Sequence, residues 1–183
     1  MAGGKKLTQE EEILLQDFSR TVTKKSQALF YLNALMITIL PLWLFWKIHL
    51  MDPYTYAPLF VVGTLLATYL VAFAYKNTKF TMKHKIAQKR ENAIAKEVNN
   101  ELDSKPETKK LSRKEKDDRI LWKKNTVSDT EATTFAIFYN NVLYIFLVIL
   151  ASFYLLKTFG PTVNFTVSTG VAAGLVALLS TGS

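Results

Sequence analysis

Four stretches of this chain carry no Asp, Glu, Lys or Arg: residues 28–46, 57–75, 132–156 and 158–183. The first three hold 19, 19 and 25 residues. At about 1.5 Å of rise per helical residue, each reaches across a hydrocarbon core about 30 Å thick. Every charge kept out of a helix centre avoids about 2.5–3.5 kcal/mol of insertion cost. A soluble fold would have to bury three such helices on all sides, and 183 residues leave too little protein to do so. The fourth stretch is rich in Gly, Ala, Ser and Thr. Over residues 161–181 it is long enough to span, and its small side chains suit close helix packing. The expectation is an all-α, four-span helical membrane protein with spans at 28–46, 57–75, 132–156 and 161–181.

Charge sets the expected orientation. Lys and Arg in short loops favour the cytosolic side. The arm at 1–27 has five (Lys5, Lys6, Arg20, Lys24, Lys25), and the segment at 76–131 has sixteen. The two remaining loops have one each, Lys47 and Lys157. Four spans place both termini and the middle segment on the same side, which this imbalance makes cytosolic. The far side is nearly empty, with Pro53 and Pro161 as turn formers, so work there falls to partner proteins. The arm carries Glu10, Glu11, Glu12 and Asp17 and lacks an apolar signal core. It reads as an amphipathic helix over residues 9–25, opened by the capping box from Thr8 to Glu11 and carrying Ile13, Leu14, Phe18 and Val22.

The middle segment holds sixteen bases against ten acids, so it carries +6 of the chain's formal +8. Its parts differ: residues 76–90 carry +6, 91–108 carry −3, 109–124 carry +5 and 125–131 carry −2. No Pro or Gly interrupts residues 76–104, so the second span is expected to continue as a helix with Met82, Ile86, Ile94, Val98 and Leu102 along one side. Pro106 marks a turn. The capping boxes Ser112–Glu115 and Ser128–Glu131 predict one helix ending near residues 122–125 and a fresh start just before the third span. Together these form a basic cytosolic helical hairpin with little core of its own.

Two basic clusters follow. Lys76, Lys79, Lys83, Lys85, Lys89 and Arg90 sit beside the membrane, where anchoring by lipid headgroups is sufficient explanation. Lys109, Lys110, Arg113, Lys114, Lys116, Arg119, Lys123 and Lys124 stand tens of Å further out, interleaved with acids that support a helix, such as Glu115 with Arg119. On the residues alone, a solvated helix face and a contact to RNA phosphates both remain open for this second cluster. Trp122 suits either stacking on a base or capping the hairpin core beside Ile120 and Leu121.

Inside the spans, Gly170 and Gly174 form a GxxxG pattern for helix packing, extended by Ala173 and Ala177. Asn33, Asn140 and Asn141 read as interhelical hydrogen-bonding groups. No intramembrane Asp, Glu, Lys or Arg marks a transport path. Cysteine is absent, and His49 and His84 are the only histidines. No catalytic set, phosphate-cradling Gly loop or metal cluster is evident, so an enzyme and a cofactor are not expected. The single sequon, Asn164-Phe165-Thr166, lies close to the fourth span, and no glycan is expected on it.

Six stretches carry a family resemblance: LLQDFSR from Leu14, TYLVAFAYKN from Thr68, KHKIAQKRE from Lys83, SRKEKDDRILWKKN from Ser112, EATTFAIFYNN from Glu131 and ALLSTGS from Ala177. From about Leu14 onward the chain resembles the gamma subunits of the translocon-associated protein complex, also called signal sequence receptor gamma. That resemblance implies a multi-pass protein of the endoplasmic reticulum membrane with cytosolic termini. It implies alpha, beta and delta subunits as partners, a position beside the Sec61 translocon, and docking to the large ribosomal subunit through the cytosolic segment. Assigning the second basic cluster to ribosomal RNA rests on its charge and placement alone. The competing reading is a membrane scaffold that binds anionic lipids.

Overall fold

A computed structural model describes residues 24–104 and 113–182. Four helices carry them: α1 (Lys24–Lys47), α2 (Ala57–Ser104), α3 (Arg113–Leu150) and α4 (Pro161–Thr181). A single π-helical turn, Ala151–Leu155, ends α3. All four helices contain a stretch long and apolar enough to cross a membrane. The amphipathic helix expected at residues 9–25 and the turn at Pro106 lie outside the described residues.

The bundle is built on small residues. On α4 the inward face is Phe165, Ser168, Thr169, Ala172, Ala173, Val176, Ala177 and Ser180. It meets Val71, Ala74 and Tyr75 of α2, Tyr144 and Val148 of α3, and Phe30 and Ala34 of α1 in one continuous core. Large apolar groups point outward instead, among them Met36, Trp43, Val62, Phe138 and Leu178. In water such a shell would drive aggregation; against lipid it costs nothing.

A second, smaller cluster of Phe45, Met51, Phe60 and Phe165 closes the end opposite the basic segment. Here the ring of Phe165 lies directly on the backbone of Gly63. A Cβ added to Gly63 would sit 2.9 Å from Cε1 of Phe165. Gly170 and Gly174 make no such approach, since a Cβ on either meets nothing within 4 Å. Among the described residues nothing therefore comes close to the GxxxG pair, and the inward face is the neighbouring one centred on Ala172, Ala173 and Val176.

The connections at this end are short. Asp52 holds the turn into α2 by accepting from the amide and the hydroxyl of Thr55, which keeps its carboxyl below the usual carboxylate range. His49 stacks on Phe45 at 4.5 Å, and burial there lowers its pKa. Pro161 opens α4, where a missing N–H is harmless. Asn164 is 1% exposed, and its amide nitrogen donates to the carbonyls of Ser152 (2.9 Å) and Leu156 (3.1 Å). Those carbonyls belong to the π turn and its end, where helical partners run out. The sequon nitrogen is thus buried and engaged in the folded chain.

Candidate functional site

Beyond the apolar bundle, α2 and α3 continue as long polar extensions that pack on each other. Ile94 and Val98 of α2 are buried against Ile120 and Val127 of α3, as the apolar side read from the sequence predicts for the first two. The extension of α3 is one unbroken helix, which corrects the expected break after residues 122–125 and the capping box at Ser128. Ser128 does not cap a helix start. Its hydroxyl donates to the carbonyl of Lys124 at 2.6 Å, and Thr126, Thr130, Thr133 and Thr134 donate in the same way to carbonyls four residues earlier. Hydroxyls turned back onto their own helix leave it intact. An unbroken α3 places Arg113 about 28 Å from residue 132, at 1.5 Å per residue.

Ion pairs fasten the two extensions. Lys79 Nζ lies 2.9 Å from Asp129, with its side chain only 9% exposed, and Lys83 lies 3.7 Å from the same carboxylate. Arg90 pairs with Glu131 at 2.9 Å, and Lys123 with Glu97 at 3.1 Å. Headgroup anchoring is thus not a sufficient account of the first basic cluster: three of its six members clamp α3. Lys85 and Lys89 face outward, and Lys76 is half-buried.

Folding also redistributes the charge. The two acids of residues 125–131 sit on bases of residues 76–90, so this basal part nets +4. Glu97 meets Lys123, and residues 91–124 together net +2. Positive charge is thus less concentrated in the distal part than the linear count of +5 suggests.

Within the second cluster, Arg119 is exposed and Lys116, Lys123 and Lys124 are half-buried. Lys109 and Lys110 lie outside the described residues, as do the side chains of Arg113 and Lys114. Trp122 is 70% exposed and does not cap the core; Ile120 and Val127 fill that role. An exposed indole one helical turn from Arg119 leaves a ring face open to a partner.

Where the extensions leave the bundle, a layer of polar contacts joins three helices. Tyr75 donates to Asn141, Asn140 donates to Thr78 at 3.0 Å, and Asn77 donates to Ser180 at 3.4 Å. Asn140 and Asn141 thus bridge helices as the sequence predicts. Asn33 does not, since it bonds to the carbonyl of Leu29 in its own helix. The pairing of Thr38 with Thr68 at 2.8 Å ties α1 to α2 and was not anticipated. Its only sequence signal is a row of Thr64 and Thr68 on one face of an apolar helix.

A family model described as "Translocon-associated protein, gamma subunit (TRAP-gamma)" matches residues 10–182. The chain belongs to the TRAP-gamma family. A relative from Dictyostelium discoideum, named translocon-associated protein subunit gamma, is 27% identical over 162 residues, covering 88% of this chain and 90% of the relative. Membership makes this a translocon-associated subunit with several membrane helices, and TRAP-gamma is a family of accessory subunits. Among the described residues, no three His, Cys, Asp or Glu side chains are grouped as a metal site.

Proposed function

We propose that this TRAP-gamma chain is the non-enzymatic subunit that docks its complex to the large ribosomal subunit, beside the Sec61 channel of the endoplasmic reticulum membrane. In this reading both termini and the paired extensions of α2 and α3 are cytosolic. The alpha, beta and delta subunits supply what lies on the lumenal side. The observation that carries it is the extension of α3, an unbroken helix that holds Arg119 and Trp122 outward, well beyond the apolar bundle. Arg matches phosphate geometry, and an exposed indole can stack on an unpaired base.

The lipid-scaffold reading has weaker support. Lys79, Lys83 and Arg90, half of the cluster nearest the membrane, are committed to α3. The test is ribosome co-sedimentation with the full chain in its complex, comparing wild type with a variant carrying Arg113→Glu, Lys114→Glu and Arg119→Glu. Docking through about six phosphates falls by roughly a thousandfold between 50 and 200 mM salt. The triple variant is expected to lose docking while still inserting and assembling. Full docking by that variant would refute the assignment.

A further inference from the structure

Among the described residues, the ion pairs that bind α2 to α3 leave out Lys76, Lys85 and Lys89, and Lys76 is the one nearest the apolar bundle. Lys76 is the first charge after the uncharged stretch of α2, and among the described residues it has no ion-pair partner. It lines a groove of about 150 Å³ between α1 and α2, together with Gln27, Phe30, Tyr31, Tyr69, Ala72 and Phe73. A space of that size takes a small organic group.

The lining is graded along the membrane normal. Lys76 and Gln27 are polar and lie at the outer end of their helices' apolar stretches. Tyr69 lies seven residues further in, about 10 Å at 1.5 Å per residue, and Tyr31 lies one turn inward of Gln27. The walls between are Phe30, Ala72 and Phe73. Phe30 and Ala72 are buried, whereas Tyr31, Tyr69 and Phe73 are 49%, 58% and 42% exposed and so open the groove sideways to the bilayer. No acid lines it.

We propose that this groove holds one glycerophospholipid with a net anionic headgroup. Its phosphodiester meets Lys76, with Gln27 as a neutral hydrogen-bonding neighbour. Its glycerol and upper acyl carbons lie along Phe73, Tyr69 and Tyr31. An amphipathic occupant is required because the charged end and the aromatic walls belong to one continuous space that opens toward lipid. An anionic headgroup is preferred because a choline would bring a second cation to Lys76 with no carboxylate in the lining to receive it. The site is independent of ribosome docking, since none of its residues belongs to the distal cluster.

The test is native mass spectrometry of the full chain, purified in mild detergent and offered equal phosphatidylinositol and phosphatidylcholine. Retention of one phosphatidylinositol per chain is expected. Lys76→Ala should lower its occupancy about fivefold, the scale of one basic residue at an anionic surface. Lys76→Arg should keep it, and Lys89→Ala, which removes an exposed base further out on α2, should leave it unchanged. Equal retention of both lipids overturns the proposal, and so does a loss in Lys89→Ala matching that in Lys76→Ala. Removal of residues 1–20 supplies the last control. Unchanged occupancy supports the lipid site, whereas a several-fold rise shows that the N-terminal arm fills the groove in the intact chain and overturns it. Ribosome co-sedimentation of Lys76→Ala stays at the wild-type level.

Discussion

Removing the carboxylate of Asp129 should destabilise the protein more than removing the lysine it pairs with. Lys79 is 9% exposed and Asp129 is 42% exposed, so the two ends of this bond stand in different surroundings. In Asp129→Ala the ammonium of Lys79 stays nearly buried with no counter-charge, and Lys83 loses the same partner 3.7 Å away. Stripping one partner from a fully buried pair costs about 3–5 kcal/mol. Water reaches Asp129, so the figure here falls to about 1–3 kcal/mol. Lys79→Met behaves otherwise. It keeps the apolar stem against Phe30, whose ring lies 5.8 Å from Nζ, and it leaves Asp129 solvated beside Lys83. Its cost should stay below about 1 kcal/mol, because an apolar replacement of similar volume is often neutral.

The double variant separates the two accounts. If the cost of Asp129→Ala is an orphaned buried charge, then Lys79→Met in the same molecule removes most of it, and the pair shows a coupling of about 1–2 kcal/mol. The assay is thermal unfolding of the purified full chain in detergent, followed by tryptophan fluorescence. At roughly 2–4 °C per kcal/mol for a chain of this size, Asp129→Ala should melt several degrees below wild type. The double variant should recover most of that difference. Additive losses, or a larger loss for Lys79→Met than for Asp129→Ala, would refute the reasoning and leave Lys79 as an ordinary interfacial anchor.

Two further predictions concern the opposite end of the bundle. Gly63→Leu forces a side chain into the ring of Phe165 and should cost about 1–3 kcal/mol, whereas Gly170→Leu and Gly174→Leu meet open space and should leave the melting temperature within about 2 °C of wild type. Asn164→Ala removes the side-chain donor to the carbonyl of Ser152 and one of the two donors to that of Leu156, which keeps the N–H of Phe159, and should cost about 1–3 kcal/mol; the wild-type chain, made in glycosylating membranes, should show no mass change on glycosidase treatment.

The parts of this fold legible in the sequence are those that a single helix decides for itself. Absence of charge over about twenty residues marks a helix able to span, whatever its neighbours, and all four such stretches are helical. Asn140 and Asn141 were legible as bridges because an amide in an apolar stretch needs a partner, but the same rule misplaced Asn33, which finds its partner in the carbonyl of Leu29 on its own helix. Ser128 misled because a Ser-x-x-Glu pattern describes one possible local bond, while the same hydroxyl can donate to the carbonyl four residues back. The choice between them is made by α2, which packs Ile94 and Val98 against Ile120 and Val127 and holds Glu131 on Arg90. Gly63 and Gly170 pose the same problem. A glycine shows that an approach is possible, and only the path of the other helices says which glycine receives one.

The same reasoning locates the rigidity that a docking arm needs. Among the described residues the apolar contact between the extensions is made by a few side chains, and a core of that size supplies little stability by itself. The polar layer at Tyr75, Asn77, Thr78, Asn140 and Asn141 is different, because it joins α2, α3 and α4 where they share the bundle core. Both extensions are continuous with helices of that bundle. A tilt of 10° at the layer would carry the start of α3 sideways by about 7 Å, because 27 residues separate Arg113 from Asn140, a lever of about 40 Å at 1.5 Å per residue. That is more than a set of charge-assisted contacts tolerates, since each needs its atoms about 3 Å apart. In the proposed docking, aim at the distal end is therefore set where the extensions leave the bundle. Lys79, Lys83 and Arg90, bases that a linear reading assigns to headgroups, add to the layer by tying α2 to Asp129 and Glu131 of α3.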